Sequence, residues 1–204
     1  MAKTNLKVAL TGGIASGKSQ VSALLENHGC FIVDLDIIAR EVVEPGTAGL
    51  NELIENFGKA ILSNDGTLNR KYLRDELFKK GRNRALIEQV LHPKILKKMK
   101  DAMDACTKGI VIVVVPLLVE KKLWHPFDRA IVVDCKVDNQ IRRLMNREQI
   151  DQSKAESMLL AQASRGQRLQ LNDQLPTDII GNNSKIADLE EKVANLYQKL
   201  SSLL

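Results

Sequence analysis

Short aliphatic runs alternate along the chain with stretches in which apolar side chains recur every three or four positions. That alternation is the signature of repeated strand–helix units. The first run is Leu6–Leu10. Beyond a glycine-rich stretch, Lys18–Asn27 sets Val21, Leu24 and Leu25 on one helical face, and His28-Gly29 closes it, because glycine accepts the left-handed turn after a helix. Phe31–Leu35 reads as a second strand and Ile37–Val43 as a short helix stopped by Pro45-Gly46. From residue 47 to 108 the spacing predicts helices over Leu50–Phe57, Arg70–Lys79, Arg84–Leu91 and Pro93–Ala105, with a turn at Asn64-Asp65-Gly66. Ile110–Val115 is β-branched throughout, as a central strand buried on both faces requires. Ala130–Val133 adds a strand, Asp138–Asn146 and Ser153–Arg168 two polar, arginine-rich helices, and Thr177–Ile180 a last strand. Ile186–Leu200 is an amphipathic helix whose Leu189, Val193, Leu196 and Leu200 pack on the sheet. The expected fold is α/β, built on a parallel sheet.

Composition narrows the classes. With 204 residues, 44% hydrophobic and 27% charged, the chain is long and apolar enough for one folded domain and is not a disordered tail. Aromatic residues make up only 3%, so a stacking platform for single-stranded nucleic acid is not expected. The longest apolar stretch, Gly109–Val119, falls short of a membrane span and contains Pro116. The start, MAKTNLKVAL, has no long apolar segment or small-residue cleavage site. Cys30, Cys106 and Cys135 are an odd, scattered set without a CxxC pair, which argues against disulfides or zinc and for a cytoplasmic location. Cys30 and Cys135 flank apolar runs and read as small buried thiols. The net charge of +5 favours polyanionic partners, with nucleotides or nucleic acid as the candidates. The basic clusters Lys79–Arg84 and Lys94–Lys100 have helical spacing and read as solvated faces, so neither a nucleic-acid nor a membrane partner is expected.

The chemistry begins at Gly12-Gly13-Ile14-Ala15-Ser16-Gly17-Lys18-Ser19, which fits GxxxxGK[ST] at every fixed position, after a predicted strand and at the start of a predicted helix. Glycines let successive backbone N–H groups turn inward around phosphate oxygens, and the helix start adds its positive dipole end. Lys18 is placed to reach the β and γ phosphates, and the Ser19 hydroxyl to bind Mg²⁺. Asp34 and Asp36 follow the second strand, and ligands of parallel sheets sit beyond the carboxyl ends of the strands. A carboxylate there orients an attacking hydroxyl or helps hold Mg²⁺; either aspartate also suits a cap for the helix near Ile37, a role that ranks equal to function for Asp36 and second to it for Asp34.

From GGIASGKS through VDLDIIAREVVEPG (Val33–Gly46), the chain resembles the dephospho-coenzyme A kinases, in the nucleoside-monophosphate-kinase branch of P-loop proteins. The likeness continues through DGTLNR (Asp65–Arg70), LHP (Leu91–Pro93), VVPLLVE (Val114–Glu120) and VVDC (Val132–Cys135). It then takes in Gln140 with Arg143 and Arg147, Gln162 with Arg165, and DIIGNN (Asp178–Asn183). The resemblance implies a single P-loop kinase domain of three layers: a five-stranded parallel core (about 1–46, 109–137 and 172–204), a helical acceptor-binding region (about 47–108) and a helical lid (about 138–171). It implies transfer of the ATP γ-phosphate, with Mg²⁺, to the ribose 3′-hydroxyl of dephospho-CoA, the last step of CoA synthesis. ATP and dephospho-CoA are then the small-molecule partners of a monomer or small homo-oligomer.

Residue roles follow from that resemblance. Gly13, Ile14, Ala15, Ser16, Gly17, Lys18, Ser19 and Gln20 bind ATP, and Asn182, in the Gly181–Asn183 turn, either borders the adenine or belongs to an ordinary turn. Asp34 is the candidate base and hydroxyl-orienting residue, and it reaches Mg²⁺ directly or through water beside Ser19. Asp36, Arg40, His92 and Leu117 join it at the acceptor, although a histidine before proline serves equally as a helix cap. Arg143 and Arg147, four apart on one helical face, fold over the triphosphate and with Lys18 and Asp34 complete the catalytic set; Arg165 joins them or stays on the surface. Two positions depart from the family: Ala15 stands where glycine is common and Gln20 where threonine is common.

Other classes fit less well. A regulatory GTPase needs an early DxxG and an NKxD, but the only DxxG is the late Asp178–Gly181 and NKxD is missing. A different P-loop kinase would not need the DLDIIAREVVEPG segment, and a nucleotide sensor has no use for an aspartate pair with an arginine-rich lid.

Overall fold

The structure, a computed structural model, describes residues 5–78 and 81–204; Lys79 and Lys80 of the first basic cluster and Met1–Thr4 of the amino terminus lie outside the described residues. The chain forms two compact units, Met1–Asp34 with Met103–Leu204, and Leu35–Ala102.

The first unit is built on five parallel strands, β1 (Asn5–Gly12), β2 (Phe31–Asp34), β3 (Gly109–Val114), β4 (Arg129–Asp134) and β5 (Thr177–Gly181), in the order β2-β3-β1-β4-β5. Each predicted strand is present with its ends shifted by a residue or two. The shift that matters is Leu35, which leaves the second strand and starts the next helix. In β3, Ile110, Ile112 and Val114 join the cluster formed with α1 (Lys18–Asn27) and α9 (Ile186–Ser201), while Val111 and Val113 on the opposite face are also buried. The run of β-branched residues is thus the consequence of a strand covered on both sides. Leu189, Val193, Leu196 and Leu200 of α9 all lie in that cluster, as their spacing predicts. Each fully buried aliphatic side chain contributes about 1.5–3 kcal/mol, so aliphatic packing fastens α1 and α9 to the sheet.

Cys30 and Cys135 are buried as expected. Burial pushes the Cys30 thiol up to about 11, so it carries almost no thiolate at neutral pH and is chemically quiet.

At the β4–β5 edge Asp178 accepts hydrogen bonds from Arg129 Nε at 2.9 Å and from Lys199 Nζ. Burial raises the carboxyl, but the two cations outweigh it and hold it below the ordinary aspartate value. A lowered carboxyl contributes stability that is present above the unfolded value near 4 and lost as the pH falls through the folded one. Asp178→Asn is therefore expected to cost about 2–4 kcal/mol at neutral pH, because it leaves the half-buried Arg129 without its counter-charge. In denaturant titrations the gap to the wild type should narrow as the pH drops below about 4; a gap that widens there would refute the account.

Three further helices lie in this unit: α6 (Val137–Glu148), α7 (Gln152–Leu160) and α8 (Arg165–Leu169). The single helix expected over Ser153–Arg168 is thus broken. It ends at Leu160, and Ser164 starts a new helix with a capping box: its hydroxyl accepts from Gln167 N–H, and Gln167 Oε1 accepts from Ser164 N–H at 2.8 Å.

In the second unit α2 (Leu35–Glu41), α3 (Ala48–Phe57), α4 (Arg70–Phe78) and α5 (Arg82–Ala105, to Ala102 within this unit) bury Leu50, Leu53, Ile61, Ile87 and Val90. Thr47 caps α3 by accepting from Leu50 N–H. The two helices expected on either side of Pro93 are one: α5 runs straight through it. Gln89, whose carbonyl loses its partner to the proline, and Pro93 itself are both exposed, so the lost bond falls on the solvent side of the helix. Three lysines of the second basic cluster pair with carboxylates, Lys94 with Glu52, Lys97 with Asp101 and Lys98 with Glu41, as a solvated face does.

Candidate active site

All five strands point their carboxyl ends to one edge, and the chain leaves β1 toward β2 on one side but leaves β4 toward β5 on the other. The glycine-rich loop opens at that reversal, where parallel sheets bind ligands. A side chain at Gly12 would meet Val133 O at 2.6 Å, so glycine lets β1 and β4 close together just before the loop.

The loop's backbone is set for a polyanion. Ala15 adopts φ +56° and Gly17 φ +100°, left-handed conformations that turn successive N–H groups inward. Alanine accepts this conformation at a cost of about 1–2 kcal/mol, the consequence of its standing where glycine is common. Gly17 caps α1 without a side chain, so no side-chain oxygen of the cap covers the N–H groups at the start of the helix. Ser16 Oγ is buried without a hydrogen-bond partner among the described residues, and Lys18 Nζ donates to Gly12 O and Gly13 O at 2.9 and 3.0 Å. Ser19 lies exposed in the first turn of α1.

Side chains from α6, from the segment between α7 and α8, and from the β5–α9 turn hold this loop. Gln140, 2% exposed, donates from Nε2 to Ile14 O at 2.6 Å, while Gln162 Oε1 accepts from Ile14 N–H at 2.8 Å. Ile14 is thereby gripped on both sides, next to the strained Ala15. Arg143 donates to Ala15 O, Ser16 O and Asn182 O at 3.5, 3.4 and 3.1 Å. Asn182, buried, donates to Ser16 O at 2.9 Å and to Gln20 Oε1 at 3.3 Å. The Gly181–Asn183 turn is thus fastened to the phosphate loop and is more than a connection. Gly17→Ala would drive a Cβ to 2.0 Å from Asn182 Nδ2 in a backbone conformation that L-residues resist. It is expected to lower stability by about 1–2 kcal/mol and to weaken nucleotide binding at least tenfold by prising Asn182 away, with thermal melts and nucleotide titration as the checks.

The predicted arginines part company. Arg143 reaches the loop, whereas Arg147, one turn further along α6, is more than half exposed and pairs with Glu148 at 2.9 Å. Arg165 is held by Asp134 through two 2.7 Å bonds, a fork that ties α8 to the end of β4 and raises the guanidinium above its usual value. Arg168, which sequence reasoning passed over, lies where a Gly13 side chain would fall 2.8 Å from its guanidinium, and burial draws it below the usual arginine value.

Asp34 ends β2 in register with Val114 of β3, and Leu10 of β1 meets the same Val114 from the other side. Its Cα is therefore level with Leu10 and about 10 Å away across two strand spacings, at the edge where the phosphate loop opens. Leu117, in the turn after β3, is exposed. In the second unit Asp36 is not a cap: α2 begins one residue earlier, and Asp36 sits exposed within its first turn. Arg40 is exposed in the last turn of α2. His92 is exposed in the middle of α5, so the helix-cap alternative fails there too.

A family model described as dephospho-CoA kinase matches residues 6–188. A dephospho-CoA kinase from Vibrio vulnificus (strain YJ016) is 42% identical over 195 residues, covering 95% of both chains. Among solved structures, TT1252 from Thermus thermophilus superposes with a TM-score of 0.79 at 25% identity, covering 97% of this chain and 99% of that one. The dephospho-CoA kinase from Campylobacter jejuni superposes with a TM-score of 0.66 at 21% identity, covering 98% and 99%, which speaks to the fold. The match runs from the first strand into the last helix, through the phosphate loop and the side chains that hold it, and the chain belongs to the dephospho-CoA kinase family.

Proposed function

We propose that the chain transfers the γ-phosphoryl group of ATP to the ribose 3′-hydroxyl of dephospho-CoA, giving CoA and ADP. The observation that carries this reading is a phosphate-binding loop and a carboxylate, Asp34, ending parallel strands at the same edge of one sheet. Phosphoryl transfer runs through a loose transition state that asks for positioning and charge neutralisation more than covalent chemistry. Apart from Ile14 N–H and Ser16 N–H, which donate to Gln162 and to Gly13 O, the N–H groups of Gly13–Ser19 cradle the phosphates, the buried Ser16 hydroxyl finds its acceptor there, and Lys18 turns from Gly12 O and Gly13 O to the β and γ oxygens. Arg143, already at the loop, adds a guanidinium to the charge that develops, with Arg147 reaching in from the next turn. Asp34 accepts the hydrogen bond of the 3′-hydroxyl and points its lone pair at phosphorus. Asp36, Arg40, His92 and Leu117 contribute to holding the acceptor, and Asn182 with Gln20 borders the nucleotide.

The donors present fit a magnesium ion: the Ser19 hydroxyl and the Asp34 carboxylate are hard oxygens, and Mg²⁺ takes one or two such protein ligands beside phosphates and water. When bound, the ion neutralises charge on the phosphate oxygens. In this reading residues 138–171 act as a lid, 47–108 as the acceptor-binding region and the remainder as the core of one kinase domain. The setting is the cytoplasm, as the reduced cysteines suggest; among the described residues no helix is long and apolar enough to cross a membrane.

A coupled ADP-release assay with dephospho-CoA, shikimate, pantothenate and nucleoside monophosphates tests the acceptor. Turnover that requires ATP and Mg²⁺ and is confined to dephospho-CoA is the expected result. Activity confined to one of the others would overturn it.

A further inference from the structure

In the second unit a cavity of about 560 Å³ is lined by Arg40 of α2 and by Arg70, Leu73, Arg74 and Leu77 of α4. The volume falls within the usual span of small-molecule sites. Among the described residues no carboxylate lines it, and none of its three guanidinium groups forms an ion pair or hydrogen bond with another of them. Four other cations of this unit have a carboxylate, Lys94, Lys97, Lys98 and Arg84; what sets Arg40, Arg70 and Arg74 apart is that they line one hollow together. Glu76, on the same helix as Arg70 and Arg74, is buried and engaged by Asn83 Nδ2 at 2.6 Å. Three like charges around one hollow repel each other, a cost that an anion with several acceptor oxygens reverses. Arg70 is also the first residue of the nine-residue α4, where the helix dipole favours negative charge.

We propose that Arg40, Arg70 and Arg74 hold the diphosphate of the acceptor, with Leu73 and Leu77 against the branched hydrocarbon that follows it. The inference rests on the reading of function above and adds to it the group recognised. Dephospho-CoA carries a diphosphate diester with two negative charges, joined through one methylene to a quaternary carbon bearing two methyl groups. A guanidinium fork matches the geometry of paired phosphate oxygens, and the two leucines supply the adjoining apolar wall. Shikimate has no such anion beside an aliphatic branch, and a nucleoside monophosphate has the anion without the branch. The cavity is therefore a specificity site for the known reaction rather than part of the phosphoryl-transfer machinery.

The test is initial-rate kinetics of the wild type, Arg70→Ala, Arg74→Ala and Arg74→Lys, varying dephospho-CoA, ATP and ionic strength. Each alanine variant is expected to raise KM for dephospho-CoA about tenfold while KM for ATP stays within about twofold. The lysine variant should recover part of the loss, since it restores charge without the fork. Added salt should raise the wild-type KM for dephospho-CoA more steeply than that of the alanine variants, which a structural role of these exposed residues would not produce. Alanine variants with an unshifted KM for dephospho-CoA, or with equal shifts for both substrates, would overturn the assignment while the reading of function stands. A wild type that does not turn over dephospho-CoA would overturn that reading, and this inference with it.

Discussion

Lys18→Ala is expected to lower kcat by on the order of 10²–10³-fold and to weaken ATP binding about tenfold or more, while the fold survives. The ammonium is a cation of the phosphate loop itself: its stem rises from the first residue of α1, and its Nζ donates to Gly12 O and Gly13 O. Removing it takes away its hydrogen bonds to Gly12 O and Gly13 O, which costs about 1–2 kcal/mol, but also the formal charge that the loop presents to the γ-phosphate. Arg143 does not replace it, because its guanidinium is already spread over Ala15 O, Ser16 O and Asn182 O. Lys18→Arg should rescue little, since a planar fork is too wide for a cradle closed by Gly12, Gly13 and Gly17. Stopped-flow or calorimetric ATP binding beside steady-state rates is the measurement. Near-normal turnover in Lys18→Ala would mean that the loop does not face the reacting phosphates.

The sequence carried the elements that depend on local chemistry, and hid those that depend on distant partners. Strand β3 was legible because β-branched residues in an unbroken run have one comfortable setting, and the phosphate loop because its glycines are dictated by backbone conformation. The capping box Ser164-x-x-Gln167 is also present in the letters, yet the helical spacing around it continues on both sides and masks the break. Pro93 misled in the opposite direction: its local penalty is real, but α5 is held from both ends by buried Ile87, Val90, Met99 and Met103, and packing outweighs a single lost bond. Within the site, Arg143 and Arg147 look equivalent on a helical wheel. The rise of a turn moves Arg147 about 6 Å further from the loop, where Glu148 takes it. The grip of Gln140 and Gln162 on Ile14 spans 126 and 148 residues, and no local pattern announces it. The signal available was a pair of glutamines inside otherwise arginine-rich lid helices, and its meaning appears only when Gln140 is seen to be buried and bonded.

Asp34→Asn is expected to cut kcat by roughly 10²–10⁴-fold and to leave ATP affinity within about threefold of the wild type. Asparagine keeps the shape and one acceptor oxygen, so the end of β2, fixed by its register with Val114, should not move. What changes is charge. A neutral amide still accepts a hydrogen bond from the 3′-hydroxyl, but it cannot take the proton as the bond to phosphorus forms, nor complete a hard-oxygen set around a cation beside Ser19. The loss must therefore fall on kcat and on kcat/KM together, the pattern of an interaction made in the transition state. Because the transition state is loose, positioning carries much of the rate. Asp34→Ala, which removes positioning as well as charge, is accordingly expected to lose at least a further factor of a few. The order wild type, Asn, Ala separates the two contributions: equal losses in Asn and Ala would assign the whole effect to charge, and a near-wild-type Asn variant would reduce Asp34 to a hydrogen-bond acceptor. Full activity in Asp34→Ala, with ATP bound normally, would remove Asp34 from the reaction and leave the phosphate loop without its facing carboxylate.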